Sequence, residues 1–253
     1  MGARDEGAIS ALAEAIRSAS RCVALTGAGV STLSGIQDFR GKNGLYRTMN
    51  ADTIFDISIF RHDPSYFYRM SGDFIYALDD KKPSTVHMAL AALESAGYLD
   101  AVITQNIDLL HTKAGSRRVI EIHGSPAVHH CLSCGFQQGF SEVANVVRRG
   151  EIPRCPACGG ILKPDITFFG EALPKKALEE AIDESRKADL MLVLGTSLIV
   201  HPAAGLPERT LRAGGRIVLV NDMPTALDDR AFLRFEDLET TFTGLLRTLE
   251  LDR

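Results

Sequence analysis

Residues 22–31 read Cys-Val-Ala-Leu-Thr-Gly-Ala-Gly-Val-Ser. The unbroken apolar run Cys22-Val23-Ala24-Leu25 is the pattern of a short strand buried on both faces. It leads directly into Gly27-x-Gly29, and a helix is expected to follow. Strand, glycine loop and helix are how a doubly wound sheet opens a site for a dinucleotide pyrophosphate. The glycines would let the backbone approach the phosphates, with free N–H groups as donors. The same pattern also fits an ordinary turn. The third glycine of the usual fingerprint would fall at position 32, which is Thr32, and the next glycine is Gly35. No second strand with an acidic end follows about twenty residues on. A hydride-transfer dehydrogenase is disfavoured, and a dinucleotide ligand is not.

Around this opening the chain alternates between two patterns. A helix is expected over residues 8–19, with Ile9, Leu12, Ala13 and Ile16 on one face. Further buried strands are expected at 101–103, 119–122, 190–194 and 217–220. Helix-period segments lie between several of them, at 85–95, 175–187 and 203–213. The fold class that follows is α/β, a Rossmann-like parallel sheet with helices on both faces. Two stretches break the alternation. Residues 42–80 are aromatic and polar with helical fragments, and residues 126–164 hold four cysteines, several Gly and Pro, and a short helix near 143–149. Both read as insertions that pack together as a small domain. The expected division is a Rossmann-like domain of residues 1–41, 81–125 and 165–253, with a helical module (42–80) and a zinc-ribbon module (126–164) beside it.

Composition bounds the function. The 253 residues carry a formal net charge of −4, with 45% apolar and 24% charged residues. That is ordinary for a globular protein and lacks the basic footprint of a general nucleic-acid binder. A non-enzymatic zinc-ribbon nucleic-acid module is disfavoured on the same ground, and the Arg117-Arg118 and Arg148-Arg149 pairs read as solvated faces. No apolar run approaches the roughly 18–20 residues of a membrane span. The first residues lack a secretory pattern. A cytoplasmic location, with no membrane or direct nucleic-acid partner, is expected.

Four of the five cysteines form Cys131-x2-Cys134 and Cys155-x2-Cys158, twenty residues apart. This is zinc-ribbon spacing, with Gly135 and Gly159 placed to close each knuckle. Four thiolates fill a tetrahedron, so one zinc ion per chain would be structural. A pair of disulfides is the competing reading. His129 and His130 are expected on the surface of a short strand, and Cys22 reads as a buried small residue.

Taken together, Gly27-Ala28-Gly29-Val30-Ser31, Gly35-Ile36-Gln37-Asp38-Phe39-Arg40-Gly41, Thr104-Gln105-Asn106-Ile107-Asp108, His123-Gly124, the four cysteines, Phe168-Phe169-Gly170-Glu171, Gly195-Thr196-Ser197 and Val220-Asn221 occur in the order seen in sirtuins, the NAD-dependent protein-lysine deacylases. The match covers nearly four-fifths of the chain and looks closest to bacterial and archaeal deacetylase-type members. The resemblance implies a reaction cleft between a large Rossmann-like domain and a small domain, with NAD as co-substrate and an acyl-lysine protein or peptide as partner. The acyl-lysine oxygen would attack the nicotinamide ribose as nicotinamide leaves, and the acyl group would pass to ADP-ribose.

Residue by residue, His123 matches the general base that takes a proton from a ribose hydroxyl, work that suits an imidazole. Asn106 and Asp108 match the groups that hold the nicotinamide amide and order the cleft. Asp108 would also suit a helix cap. The cofactor set implied is Gly27, Ala28, Gly29, Ser31, Asp38, Phe39, Arg40, Gln105, Asn106, Ile107, Asp108, Gly195, Thr196, Ser197 and Asn221. In it Gln105 meets a ribose, Phe39 covers the ribose face and Arg40 reaches the phosphates. Thr196, Ser197 and Asn221 meet phosphate and adenosine ribose. Substrate contacts are expected from Thr167, Phe169, Gly170 and Ile199, with a peptide added as a strand between segments 167–171 and 198–200. One of Phe168 and Phe169 should be plain core.

Departures from the family pattern carry expectations of their own. Gln37 replaces a usual Pro and should loosen the cofactor loop. Tyr46 replaces a usual Trp, and Thr167 a usual aliphatic. Residues 235–240 lack the usual adenine-contact pattern. The Tyr-x-x-Arg pair of sirtuins that prefer acidic acyl groups aligns with Ser71 and Phe74, and Tyr66 and Arg69 read as helix surface. Acetyl or longer neutral acyl chains are therefore expected. Mono-ADP-ribosyl transfer, or NAD hydrolysis without peptide, is the alternative use of the same pocket.

Overall fold

A computed structural model describes residues 3–38, 44 and 50–252. In chain order the first elements are α1 (Ala3–Ser18), β1 (Cys22–Thr26), α2 (Gly29–Thr32), α3 (Ala51–Ile54), α4 (Ile57–His62), α5 (Pro64–Ser71) and α6 (Thr85–Ser95). Next come β2 (Ala101–Thr104), α7 (Leu110–Ala114), β3 (Val119–Glu121), β4 (Gly124–Cys131), β5 (Gln137–Gly139), α8 (Phe140–Arg148) and β6 (Leu162–Ile166). The last are α9 (Lys175–Lys187), β7 (Leu190–Leu194), α10 (Leu206–Arg212), β8 (Arg216–Val220), β9 (Leu233–Phe235) and α11 (Leu238–Thr248).

Six strands form one parallel sheet in the order β3-β2-β1-β7-β8-β9. Every residue of β1, β2 and β7 is buried, as the continuous apolar runs require. Successive side chains point to opposite faces, and so two cores form. On one face Cys22, Ala24, Val102, Leu192 and Val218 meet Leu12 and Ile16 of α1, Leu90 and Leu93 of α6, and Phe242 and Leu245 of α11. On the other, Val23, Leu25, Ile103, Val193 and Leu219 meet Ala181 of α9 and Leu206 of α10. Cys22 is buried, as expected.

The strand order reverses between β1 and β7. In an open parallel sheet, ligands bind outside the carboxyl ends of the strands at such a switch point. The loops that begin at Gly27 and Gly195 leave these two strand ends.

A second sheet, antiparallel, has the order β5-β4-β6. Its residues share a third core with the helices of residues 51–71: Ile54, Phe60 and Phe67 pack with Val143, Leu162 and Phe168. Edge-to-face pairs of Phe168 with Phe55 (5.7 Å) and Phe60 (5.4 Å) join the two segments.

Several local expectations are corrected. The helix after Gly29 is a single turn. The helix expected over 203–213 is a 3₁₀ turn, Ala203–Gly205, followed by α10. β9 and α11 had no expected counterpart. His129 is not on the surface: it is fully buried, with Nε2 at 2.9 Å from the Tyr76 hydroxyl, and burial lowers its pKa to about 3. His130 is half-buried and pairs with Asp165 across β4 and β6. Arg69 is exposed as expected, but Tyr66 packs on the third core. Ser71 is buried, and Phe74 packs against the same core. Among the described residues no helix is long and apolar enough to cross a membrane.

Candidate active site

Buried polar side chains concentrate where β1, β2, β7 and β8 end: Thr26, Ser31, Thr104, Asn106, Asp108, Thr196 and Asn221. Buried polar groups persist only with partners, and these are joined into one network. Asn106 Nδ2 donates to Gly27 O (3.0 Å) and Ser31 Oγ (3.2 Å). The Ser31 hydroxyl donates to Asp108 Oδ2 (2.6 Å), and Asp108 Oδ1 accepts the Leu110 amide (2.9 Å), so Asp108 also steadies the start of α7. Gln105 Nε2 donates to Thr196 Oγ1 at 3.1 Å and thereby ties the β2 loop to the β7 loop.

Behind this layer lies a set of residues to which the sequence assigns no role. Thr26 donates to Thr104 Oγ1 (2.9 Å), and Thr104 Oγ1 accepts the amide of Asn106 (3.0 Å). His111 Nε2 lies 2.9 Å from Thr26 Oγ1. Because the Thr26 hydroxyl is already donating, its oxygen must accept from His111 Nε2–H. The position of Asn106 therefore depends on a buried histidine of α7.

The glycine loop corrects an expectation. The amide of Gly27 donates to Leu194 O and that of Gly29 to Gly195 O, both at 2.9 Å, so these two N–H groups are not free for phosphate. The glycines serve loop-to-loop packing. A Cβ on Gly29 would stand 2.7 Å from Gly195 Cα, and one on Gly195, whose φ is +58°, would stand 2.6 Å from Val30 N.

His123 lies between β3 and β4, half-buried in the wall of the cleft. Its Nδ1 is 2.8 Å from Gln105 O. A carbonyl only accepts, so Nδ1 carries the proton and Nε2 keeps its lone pair. Burial holds the His123 pKa below the ordinary imidazole value, and the bond to the Gln105 carbonyl pulls the other way. The product is a neutral imidazole with its orientation fixed and its basic nitrogen unprotonated.

One cleft of about 780 Å³ brings together Gly27, Ala28, Gly29, Asp38, Gln105, Asn106, Ile107, His123, Thr167, Phe169, Gly170, Gly195, Thr196, Ser197, Ile199 and Asn221. A second pocket of about 310 Å³ shares Ala28, Asn106 and Ile107 with it and adds Ser31 and Asp108. Volumes of this order suit small-molecule ligands. Phe39, Arg40 and Tyr46 lie outside the described residues. Phe168 is 1% exposed and Phe169 46%, so the first is the core residue of the pair. Asn221 is partly committed, since its Nδ2 donates to Met223 O at 2.8 Å.

The four cysteines line neither pocket. Their sulfurs all lie within 4.8 Å of one another, with contacts of 3.5 Å (Cys131–Cys158), 3.6 Å (Cys134–Cys155) and 3.4 Å (Cys134–Cys158). A disulfide would need about 2.05 Å. A tetrahedron of sulfurs each about 2.3 Å from a metal has edges near 3.8 Å, so the set is the right size for one ion. Gly135 (φ +72°) and Gly159 (φ +74°) turn the two knuckles.

Residues 27–202 match the Sir2 family. The chain is 46% identical over 213 residues to an NAD-dependent protein deacetylase of Thermotoga maritima, covering 84% of this chain and 86% of the relative. A solved Sir2 structure with a deacetylated p53 peptide and 3'-O-acetyl ADP-ribose superposes with a TM-score of 0.90 at 41% identity, over 94% of this chain and 97% of that one. A structure of Sir2Tm bound to a propionylated peptide superposes with a TM-score of 0.88 at 39% identity, over 96% and 99% of the two chains.

Proposed function

The chain belongs to the Sir2 family, and from that premise we propose that it is an NAD-dependent protein-lysine deacetylase, moving the acyl group from lysine to ADP-ribose with release of nicotinamide. The observation that carries the reading is His123: a neutral imidazole, oriented by Gln105 O, in the wall of a cleft at the sheet's switch point.

The residues divide the work by position. Bound NAD would supply a sugar carbon activated by a good leaving group. Asn106 and Asp108, with Ser31 between them, would hold the nicotinamide amide in the smaller pocket. The Asp108 carboxylate, which only accepts, suits the NH2 of that amide. Gln105 and Thr196 would order the ribose, with Ser197 and Asn221 further along the β7 and β8 ends. His123 Nε2 would accept a proton from a ribose hydroxyl, and its lowered pKa keeps it in the basic form near neutrality.

An acyl-lysine peptide would lie between segments 167–171 and 198–200, with Phe169 and Ile199 at its sides. Ser71 and Phe74 offer no cation for an acidic acyl group, which supports acetyl or longer neutral chains. The four cysteines would hold one structural zinc, leaving no coordination position for water. The division into a Rossmann-like unit (1–41, 81–125, 165–253) and a smaller one (42–80, 126–164), and a cytoplasmic location consistent with five unpaired cysteines, are part of the same reading.

Incubation with NAD and a panel of acyl-lysine peptides tests it. Nicotinamide release that requires acetyl-peptide, with one deacylated peptide per nicotinamide by mass spectrometry, supports deacylation. Release without peptide, or label transferred to protein, would replace it with NAD hydrolysis or ADP-ribosyl transfer.

A further inference from the structure

We infer that Lys163, which lines neither pocket, is a positioning residue that fixes segment 167–171, the edge proposed above to receive the peptide. The inference rests on that reading of the cleft. Lys163 lies on β6 with its side chain 2% exposed. Its ammonium donates to Glu171 Oε2 at 2.9 Å, Ile166 O at 2.8 Å and Pro164 O at 3.1 Å, and it stands 4.2 Å from the centroid of the Phe168 ring. An ammonium has three protons, and each has an acceptor. Every one of these contacts falls within residues 164–171, the end of β6 and the turn that follows it.

Glu171 passes the constraint on. Its Oε2 accepts the Phe168 amide at 2.9 Å, and its own amide donates to Phe168 O at 3.0 Å, which closes residues 168–171 into a loop. Backbone bonds, and the packing of the Phe168 ring on Phe55 and Phe60, hold the rest of the segment. Thr167 N donates to His123 O (2.9 Å), Phe169 N to Phe55 O (2.7 Å) and Ile57 N to Phe169 O (3.1 Å). The Lys163–Glu171 pair is the charged anchor of a stretch that turns Phe168 inward and Phe169 toward the cleft.

A buried ammonium is a poor way to gain stability. Burial pushes the Lys163 pKa down, while Glu171 acts to raise it. An apolar side chain of similar length would fill the space without the desolvation cost, which often matches or exceeds what the pair returns. What the charge adds is geometry: three directed bonds and a ring contact select one arrangement of residues 166–171. A peptide that pairs as a strand reads that arrangement directly. NAD would not, because its proposed ligands stand on the ends of β1, β2, β7 and β8, and Lys163 bonds to none of them.

The test uses the full-length, zinc-loaded protein and the variants Lys163→Met, Glu171→Gln and the double substitution. In steady state with acetyl-lysine peptide, each single variant should raise the peptide KM about tenfold, while the NAD KM and kcat stay within about twofold of the parent. The double variant should be no weaker than Lys163→Met, because the two side chains act as one unit. Amide exchange at Phe168 in the free protein, a readout independent of turnover, should quicken about tenfold in Lys163→Met with β1 unchanged. A peptide KM within about twofold of the parent, or a parallel rise in the NAD KM, would overturn the positioning role, as would unchanged exchange at Phe168. If Lys163→Met does not fold, Glu171→Gln decides by the same criteria. A parent protein that turns over no acyl peptide would instead refute the deacylase reading, and the exchange measurement would still decide the role of Lys163.

Discussion

Replacing His111 by Gln should remove an acid sensitivity that the native protein carries behind the cleft. His111 is 2% exposed, its Nδ1 has no partner among the described residues, and its ring lies 4.6 Å from that of His87. Burial, with the neighbouring His87 acting in the same direction, lowers its pKa from 6.5 to about 3. The unfolded chain takes up a proton near pH 6.5, and the folded one refuses it until about pH 3. Above pH 6.5 the group is neutral in both states and costs nothing; stability is then lost as the pH falls through that window. At pH 5.0 the difference is about one and a half pH units below the unfolded midpoint, or about 2 kcal/mol. For a domain of this size that is a fall in Tm of roughly 4–8 °C. Gln keeps an N–H for Thr26 and does not titrate. Thermal unfolding of both proteins at pH 7.5 and 5.0 isolates the effect, since carboxylates and any acid loss of metal affect both alike. The parent should lose about 2 kcal/mol more than His111→Gln between the two pH values. Equal losses would refute the claim that His111 is held neutral by burial behind Asn106.

Other substitutions read other parts of the account. Gly29→Ala places a methyl 2.7 Å from Gly195 Cα, backbone against backbone; it should cost about 1–3 kcal/mol in denaturant unfolding and weaken NAD binding by calorimetry, whereas a change under about 0.5 kcal/mol would show that the loops do not need that contact. Cys155→Ala, or a strong chelator, removes the proposed zinc site, whose Cys131 and Cys155 also pack in the third core. The melting midpoint should fall by roughly 10 °C with release of one zinc per chain. A metal-free protein that melts like the parent would return the cysteines to a purely packing role.

How much of this was legible in the sequence depends on where the deciding contact lies. β1, β2 and β7 could be read because both of their faces are covered, so the apolar run is unbroken. β9 could not, because its three residues are only half-buried at the sheet edge. The cysteine cluster was legible because its geometry is written in two local turns. That the Gly27 and Gly29 amides are already committed was not legible, because they bond to residues 194 and 195, a loop remote in sequence. His129 looked like a surface residue for the same reason: its partner, Tyr76, is 53 residues upstream. The cleft residues themselves stand in short runs after strand ends, where the apolar pattern breaks. Thr26 and His111 behind them have no pattern apart from the folded structure, and neither does Lys163.

The most direct test follows the acyl group itself. A peptide carrying isotope-labelled acetyl-lysine, incubated with NAD and the parent protein, should give labelled acetyl-ADP-ribose in one-to-one yield with nicotinamide. His123→Ala should bind NAD as the parent does and lose this product by a factor on the order of 10²–10⁴. Labelled product formed at the parent rate by His123→Ala would contradict the assignment of the base, and label released only as free acetate without nicotinamide would contradict the reaction.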